Sequence, residues 1–91
     1  MNEYLKEILT EMCSRVKIKF EEKNLKNEHW FQKYEWTQKE EKDFVNWLAE
    51  YMKNNKEARE TLMMFPRKNK RELKRFAEMF CFNYGWKYKD D

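Results

Sequence analysis

Glycine and proline are almost missing from this chain, which has one of each, Gly85 and Pro66, in 91 residues. So few turn-forming residues leave little room for a β-rich meander, and no glycine-rich phosphate loop can be built. Histidine is as scarce, with His29 alone. Nucleophilic triads and histidine metal sites need partners that the sequence does not place near it, and Cys13 and Cys81 are too few and too isolated to complete a zinc site. Two cysteines also make no disulfide framework. The expectation is a pair of reduced, buried thiols, with a disulfide tying the first helix to the last as the alternative. No apolar run approaches membrane-spanning length, and the opening MNEYLKEILTEM has charges too frequent for a signal peptide. These absences lead us to expect no catalytic residues, no metal, no cofactor, no membrane partner and a cytoplasmic location.

Charge and aromatic rings are plentiful instead. Charged residues make up 41% of the chain and apolar residues another 41%. Low glycine and proline with abundant Glu, Lys, Leu and Met favours helix. Seven Phe, five Tyr and four Trp bring the aromatic share to 18%, and a chain so rich in rings does not read as disordered despite a mean hydropathy of −1.23. The length suits one domain, residues 1–91, burying roughly 60–65% of its unfolded surface and too small for a large enclosed pocket. The expected fold is mainly α, a small domain of about four helices. Either a short β-hairpin or an extended aromatic segment lies between the first and second of them.

The helices are readable one by one. Asn2 or Glu3 opens the first, with Leu5, Ile8, Leu9, Met12 and Val16 as its stripe and Tyr4 and Cys13 at the edges. In the stretch from Arg15 to Glu22, Val16, Ile18 and Phe20 alternate strictly with Lys17, Lys19 and Glu21, which favours a helix end near Ser14 and an extended segment after it, although Met12, Val16 and Phe20 would also suit a continuing helix. Residues 16–21 paired with residues 30–36 would make the hairpin, and a helical turn from His29 to Lys33 is the competing reading. Thr37 with Glu40 forms a capping box for a helix reaching Asn54, and Phe44, Val45, Leu48, Tyr51 and Met52 form its buried side, with Trp47 at the margin. Asn55 can cap a short helix from Lys56 to Met64, which Pro66 ends. Asn69 and Glu72 then open the last helix, striped by Leu73, Phe76, Ala77, Phe80 and Tyr84 and stopped at Gly85.

Function has to be sought on the surface. Residues 1–52 carry a net −2 and residues 53–91 a net +5. Arg67, Lys68, Lys70, Arg71, Lys74 and Arg75 crowd the start of the last helix with only Glu72 among them. A helix apolar on one side and basic on the other suits a phosphate backbone, and in three consecutive helices with short turns the last takes the place of a recognition helix. The same run also fits a solvated face with no partner. The first functional reading is therefore a non-enzymatic module contacting nucleic acid or a nucleoprotein through those six cations. The second is a protein-binding inhibitor or adaptor of the kind phages and mobile elements encode, for example one blocking a host defence nuclease. It would act through exposed Trp30, Phe31, Tyr34, Trp47 and Trp86, although these rings also serve as core filler. A homodimer through the first helix is a third possibility.

Overall fold

The structure, a computed structural model, describes residues 2–23, 35–64, 68–83 and 87–88. Its elements are α1 (Glu3–Ser14), β1 (Glu35–Trp36), α2 (Gln38–Lys53), α3 (Lys56–Leu62), α4 (Lys70–Asn83) and β2 (Lys87–Tyr88). The mainly α architecture expected from composition is the one present.

Each of the three longer helices starts where a short polar side chain can take up orphan amides. The Asn2 carboxamide oxygen accepts from the amides of Tyr4 and Leu5, at 2.8 and 3.1 Å. Thr37 and Glu40 form the full reciprocal box, the Glu40 amide donating to Thr37 Oγ1 at 3.1 Å and the Thr37 amide to the Glu40 carboxylate at 3.4 Å. At α4 the Glu72 amide donates to Asn69 Oδ1 at 2.8 Å. The short α3 departs from this pattern. Asn55 precedes it but makes no side-chain cap bond, and a different device joins it to α2. Arg59 reaches back and donates to the carbonyls of Met52 and Lys53, at 2.7 and 2.6 Å. A guanidinium thus closes the C-terminal end of α2, where exposed carbonyls and the helix dipole favour a cation.

The end of α1 carries a local strain. The Lys17 amide donates to the Ser14 carbonyl and the Ile18 amide to the Cys13 carbonyl, at 3.2 and 3.1 Å, which is the paired pattern of a Schellman stop. That stop needs a left-handed residue, and Lys17 holds it with φ of 59°. A lysine there bears a steric penalty that glycine avoids, partly offset by glycine's greater freedom when unfolded. Lys17→Gly is therefore expected to stabilise the fold by about 0.5–1 kcal/mol in urea melts. A destabilised variant would show that the turn is held by the lysine side chain instead.

After the turn at Arg15–Lys17, residues 18–20 belong to no helix and enter no ladder among the described residues. The strand that does form, Glu35–Trp36, pairs in parallel with Lys87–Tyr88 in a two-stranded sheet, Glu35 opposite Lys87 and Trp36 opposite Tyr88. Its partner comes from the far end of the chain. A parallel pair needs a long crossover, and here three helices supply it. The proposed partner stretch 30–34, the helical turn at His29 to Lys33, and Phe65, Pro66, Tyr84 and Gly85 lie outside the described residues.

The core forms where α1, α2 and α4 meet, with the α2–α4 packing the most extensive. Ile8, Leu9, Met12 and Cys13 enter from α1, Phe44, Val45, Leu48 and Met52 from α2, and Leu73, Ala77, Phe80 and Cys81 from α4. Cys13 lies inside this cluster rather than at its edge, and both cysteines are free thiols. Trp36 is fully buried, its ring 5.7 Å from that of Phe44, and Phe44 also meets Trp47 at 5.9 Å and Phe80 at 6.4 Å. Among the described residues Phe44 is the ring that meets the most others. Two phenols bind the helices at the rim. The Tyr51 hydroxyl of α2 donates to Glu7 of α1 at 2.6 Å, and burial together with that carboxylate pushes its pKa up. Glu57 of α3 does the same for Tyr4 of α1 through a hydrogen bond, with burial adding to it.

Candidate nucleic-acid interface

α4 owes its two-sidedness to spacing. At about 100° per residue, Leu73, Ala77, Phe80 and Cys81 converge on one side, with Lys74 at its border and Arg71 and Arg75 well outside it, while Lys70 shares that direction but stands in the first turn, at the open end of the helix. Burial follows this pattern: Leu73, Ala77, Phe80 and Cys81 are buried, Phe76 is half-buried, and Lys70, Arg71, Lys74 and Arg75 are exposed. Lys68, just before the helix, is exposed as well. The ion pairs among the described residues join Lys6 to Glu22, Arg15 to Glu11, Lys23 to Glu21 and Lys56 to Glu60. Thus none of the five described cations at the start of α4 has a carboxylate partner among the described residues.

The five do not form one patch. Lys68, Lys70 and Lys74 turn toward α2 and, together with Lys53, surround a groove of about 590 Å³. Ala49 and Leu73 supply its apolar floor, while Glu50 and Asn46 complete the α2 side. Farther along the same pair of helices, Gln38 and Glu41 from the start of α2 line a second groove with Glu78 and Phe82 from the end of α4. The two helices therefore run antiparallel, and this brings the last turn of α2 beside the first turn of α4. Arg71 and Arg75 point away from the first groove, toward the side of α4 that also presents Phe82. The exposed large apolar residues among those described are Met64, Met79 and Phe82, with Phe82 at 75% exposure.

Of the residues expected to act in nucleic-acid binding, the structure thus exposes Lys68, Lys70, Arg71, Lys74 and Arg75, and Arg67 lies outside the described residues. Of the aromatic set, Trp30, Phe31, Tyr34 and Trp86 also lie outside them. Trp47 is half-buried, stacked on Tyr51 with ring centres 5.1 Å apart and on Phe44. Sequence reasoning did not single out Lys53 or Phe82. Phe82 was legible, since it falls off the Leu73–Phe80 stripe by helical spacing. Lys53 was not, since only the α2–α4 pairing brings it to the groove.

Among the described residues, no three His, Cys, Asp or Glu side chains gather in a way that would hold a metal ion, and no helix is long and apolar enough to cross a membrane. Comparison with protein-family models, with curated proteins and with solved structures found no match.

Proposed function

We propose that this chain is a non-enzymatic binding module that uses the basic face of α4 to contact the phosphate backbone of nucleic acid, free or within a nucleoprotein. One observation carries the reading. Five exposed cations, Lys68 just before α4 and Lys70, Arg71, Lys74 and Arg75 in its first two turns, have no carboxylate partner in an ion pair among the described residues, while Leu73, Ala77, Phe80 and Cys81 seat the helix in the core. Clustered like charges repel one another, and a polyanion that displaces its own counterions is the partner that relieves this most. The helix packs along α2, and its width with side chains suits the major groove of a duplex.

Fluorescence anisotropy with a labelled oligonucleotide, single-stranded and duplex, tests the reading. Affinity should fall steeply between about 50 and 200 mM salt, with a log–log slope of about −0.9 per phosphate contacted on a duplex. The double variant Arg71→Ala with Lys74→Ala should weaken binding more than about tenfold and flatten the slope by about two. Binding indifferent to salt, or to that double change, would remove the reading.

A protein partner is the second reading, and its support is Phe82 with Met79, two large apolar side chains exposed on α4. Such residues anchor protein interfaces when a charged rim surrounds them. A stable complex with a protein that survives nuclease treatment and is lost in Phe82→Ala would favour this reading over the first.

A further inference from the structure

The basic run that reads as one patch in sequence is two surfaces in space, and the concave one has a chemistry of its own. Lys53, Lys68, Lys70 and Lys74 converge on one groove from two helices and the segment before α4, and none has a carboxylate partner in an ion pair among the described residues. Glu50 is the one acidic side chain in the lining, so the groove carries a net +3. An internal phosphodiester carries one charge and sits on the convex outside of a strand, where few side chains can surround it. A terminal phosphate carries about −1.5 to −2 at neutral pH and offers three acceptor oxygens to donors arriving from several directions. Lysines are flexible point charges that can close around such a group from opposite walls, and charge-assisted bonds to it are stronger than neutral ones. The first turn of α4 borders the groove, and its dipole adds in the same sense.

We infer that the α2–α4 groove holds the phosphorylated end of a nucleic-acid strand, while Arg71 and Arg75 on the outer side of α4 follow the adjoining backbone. This inference rests on the nucleic-acid reading above and narrows it from backbone contact to recognition of strand ends. Ala49 and Leu73 form the floor against which the terminal sugar lies.

The test compares oligonucleotides of one sequence that carry a 5′-phosphate, a 3′-phosphate or hydroxyls at both ends, with a circular strand as the version without ends. One phosphorylated end should bind about tenfold tighter than the hydroxyl form, and the two phosphate positions reveal which end the groove takes. Lys53→Ala, which lies outside the α4 run, should collapse that ratio to about twofold or less. Glu50→Gln, by removing the one opposing charge, should raise it, and Arg75→Ala should weaken all forms in proportion and leave the ratio standing. Circular dichroism confirms that each variant is folded, with Lys53→Gln replacing Lys53→Ala if the latter is not. Salt-dependent binding with equal affinity for phosphorylated, hydroxyl and circular strands overturns the groove assignment and leaves the nucleic-acid reading intact. A phosphate preference that survives loss of Lys53 also overturns it. Absence of binding to every strand overturns both.

Discussion

Phe44→Ala is expected to remove about 3–5 kcal/mol of stability, the range for emptying a large ring from a packed core. At roughly 0.05–0.15 kcal/mol per residue a domain of this size has only about 5–14 kcal/mol in total. A single substitution then takes about a fifth of it at the least and most of it at the low end of that range. The reason lies in position as well as size. Phe44 is fully buried and meets Trp36, Trp47 and Phe80, which come from the strand before α2, from α2 itself and from α4. Each aromatic pair adds about 0.5–1.5 kcal/mol beyond the burial of area, and the cavity would open where three elements meet, leaving little freedom to collapse. Phe82→Ala is the control. That ring is 75% exposed, so its loss should change stability by less than about 0.5 kcal/mol. Urea melts followed by circular dichroism measure both. Similar midpoints for the two variants would mean that Phe44 is not at the centre of the core.

The difference between those two phenylalanines also marks how far the sequence could be read. Both sit on helices whose spacing is clear, and spacing alone separates the inward ring from the outward one. Asn2, Thr37 and Asn69 were legible for a related reason: a cap acts over three residues, and nothing distant decides it. What escaped was long-range. Glu35 pairs with Lys87 across about fifty residues and three helices, and no local pattern in Trp36 or Tyr88 announces that pairing. The alternation after Arg15 marked where α1 stops, but the ladder seen among the described residues joins Glu35–Trp36 to Lys87–Tyr88. Lys17 holds a left-handed turn that sequence rules assign to glycine, so the stop of α1 was placed by the alternation that follows it and not by its own residue. The interface followed the same division. That Arg71, Lys74 and Arg75 lie outside the core was visible on a helical wheel, whereas Lys70 is exposed by its place in the first turn. That Lys53 joins two of them across a groove depends on the antiparallel α2–α4 pairing, and Arg59 closing α2 depends on the turn between helices.

The two thiols should be silent in the native protein. Cys13 on α1 and Cys81 on α4 are free but almost wholly buried in the shared core. Burial alone pushes the Cys13 thiol from 9.0 up to about 11. Burial also raises Cys81, with the Glu41 and Glu78 carboxylates acting in the same sense. Only the thiolate reacts, so both access and ionisation oppose modification. A disulfide-exchange reagent at about pH 8 should then label the folded chain at least a thousandfold more slowly than the urea-unfolded one, because reaction waits on an opening that requires most of the roughly 5 kcal/mol or more of global stability. The same groups set a pH limit. A thiol whose folded pKa is raised keeps its proton in the native state after the unfolded chain has lost it. The unfolded state therefore binds fewer protons in that interval, and stability declines as pH rises. Stability should accordingly be level with respect to these thiols below about pH 9 and fall as pH climbs from about 9 toward about 11, with the raised phenols of Tyr4 and Tyr51 extending the decline upward. Replacing both cysteines by alanine should flatten the first part of that decline, whatever the double change does to stability at neutral pH. A rapid burst of labelling at either cysteine in the folded chain, or a decline unchanged in the double variant, would place these thiols nearer solvent than the core packing of α1 on α2 and α4 allows.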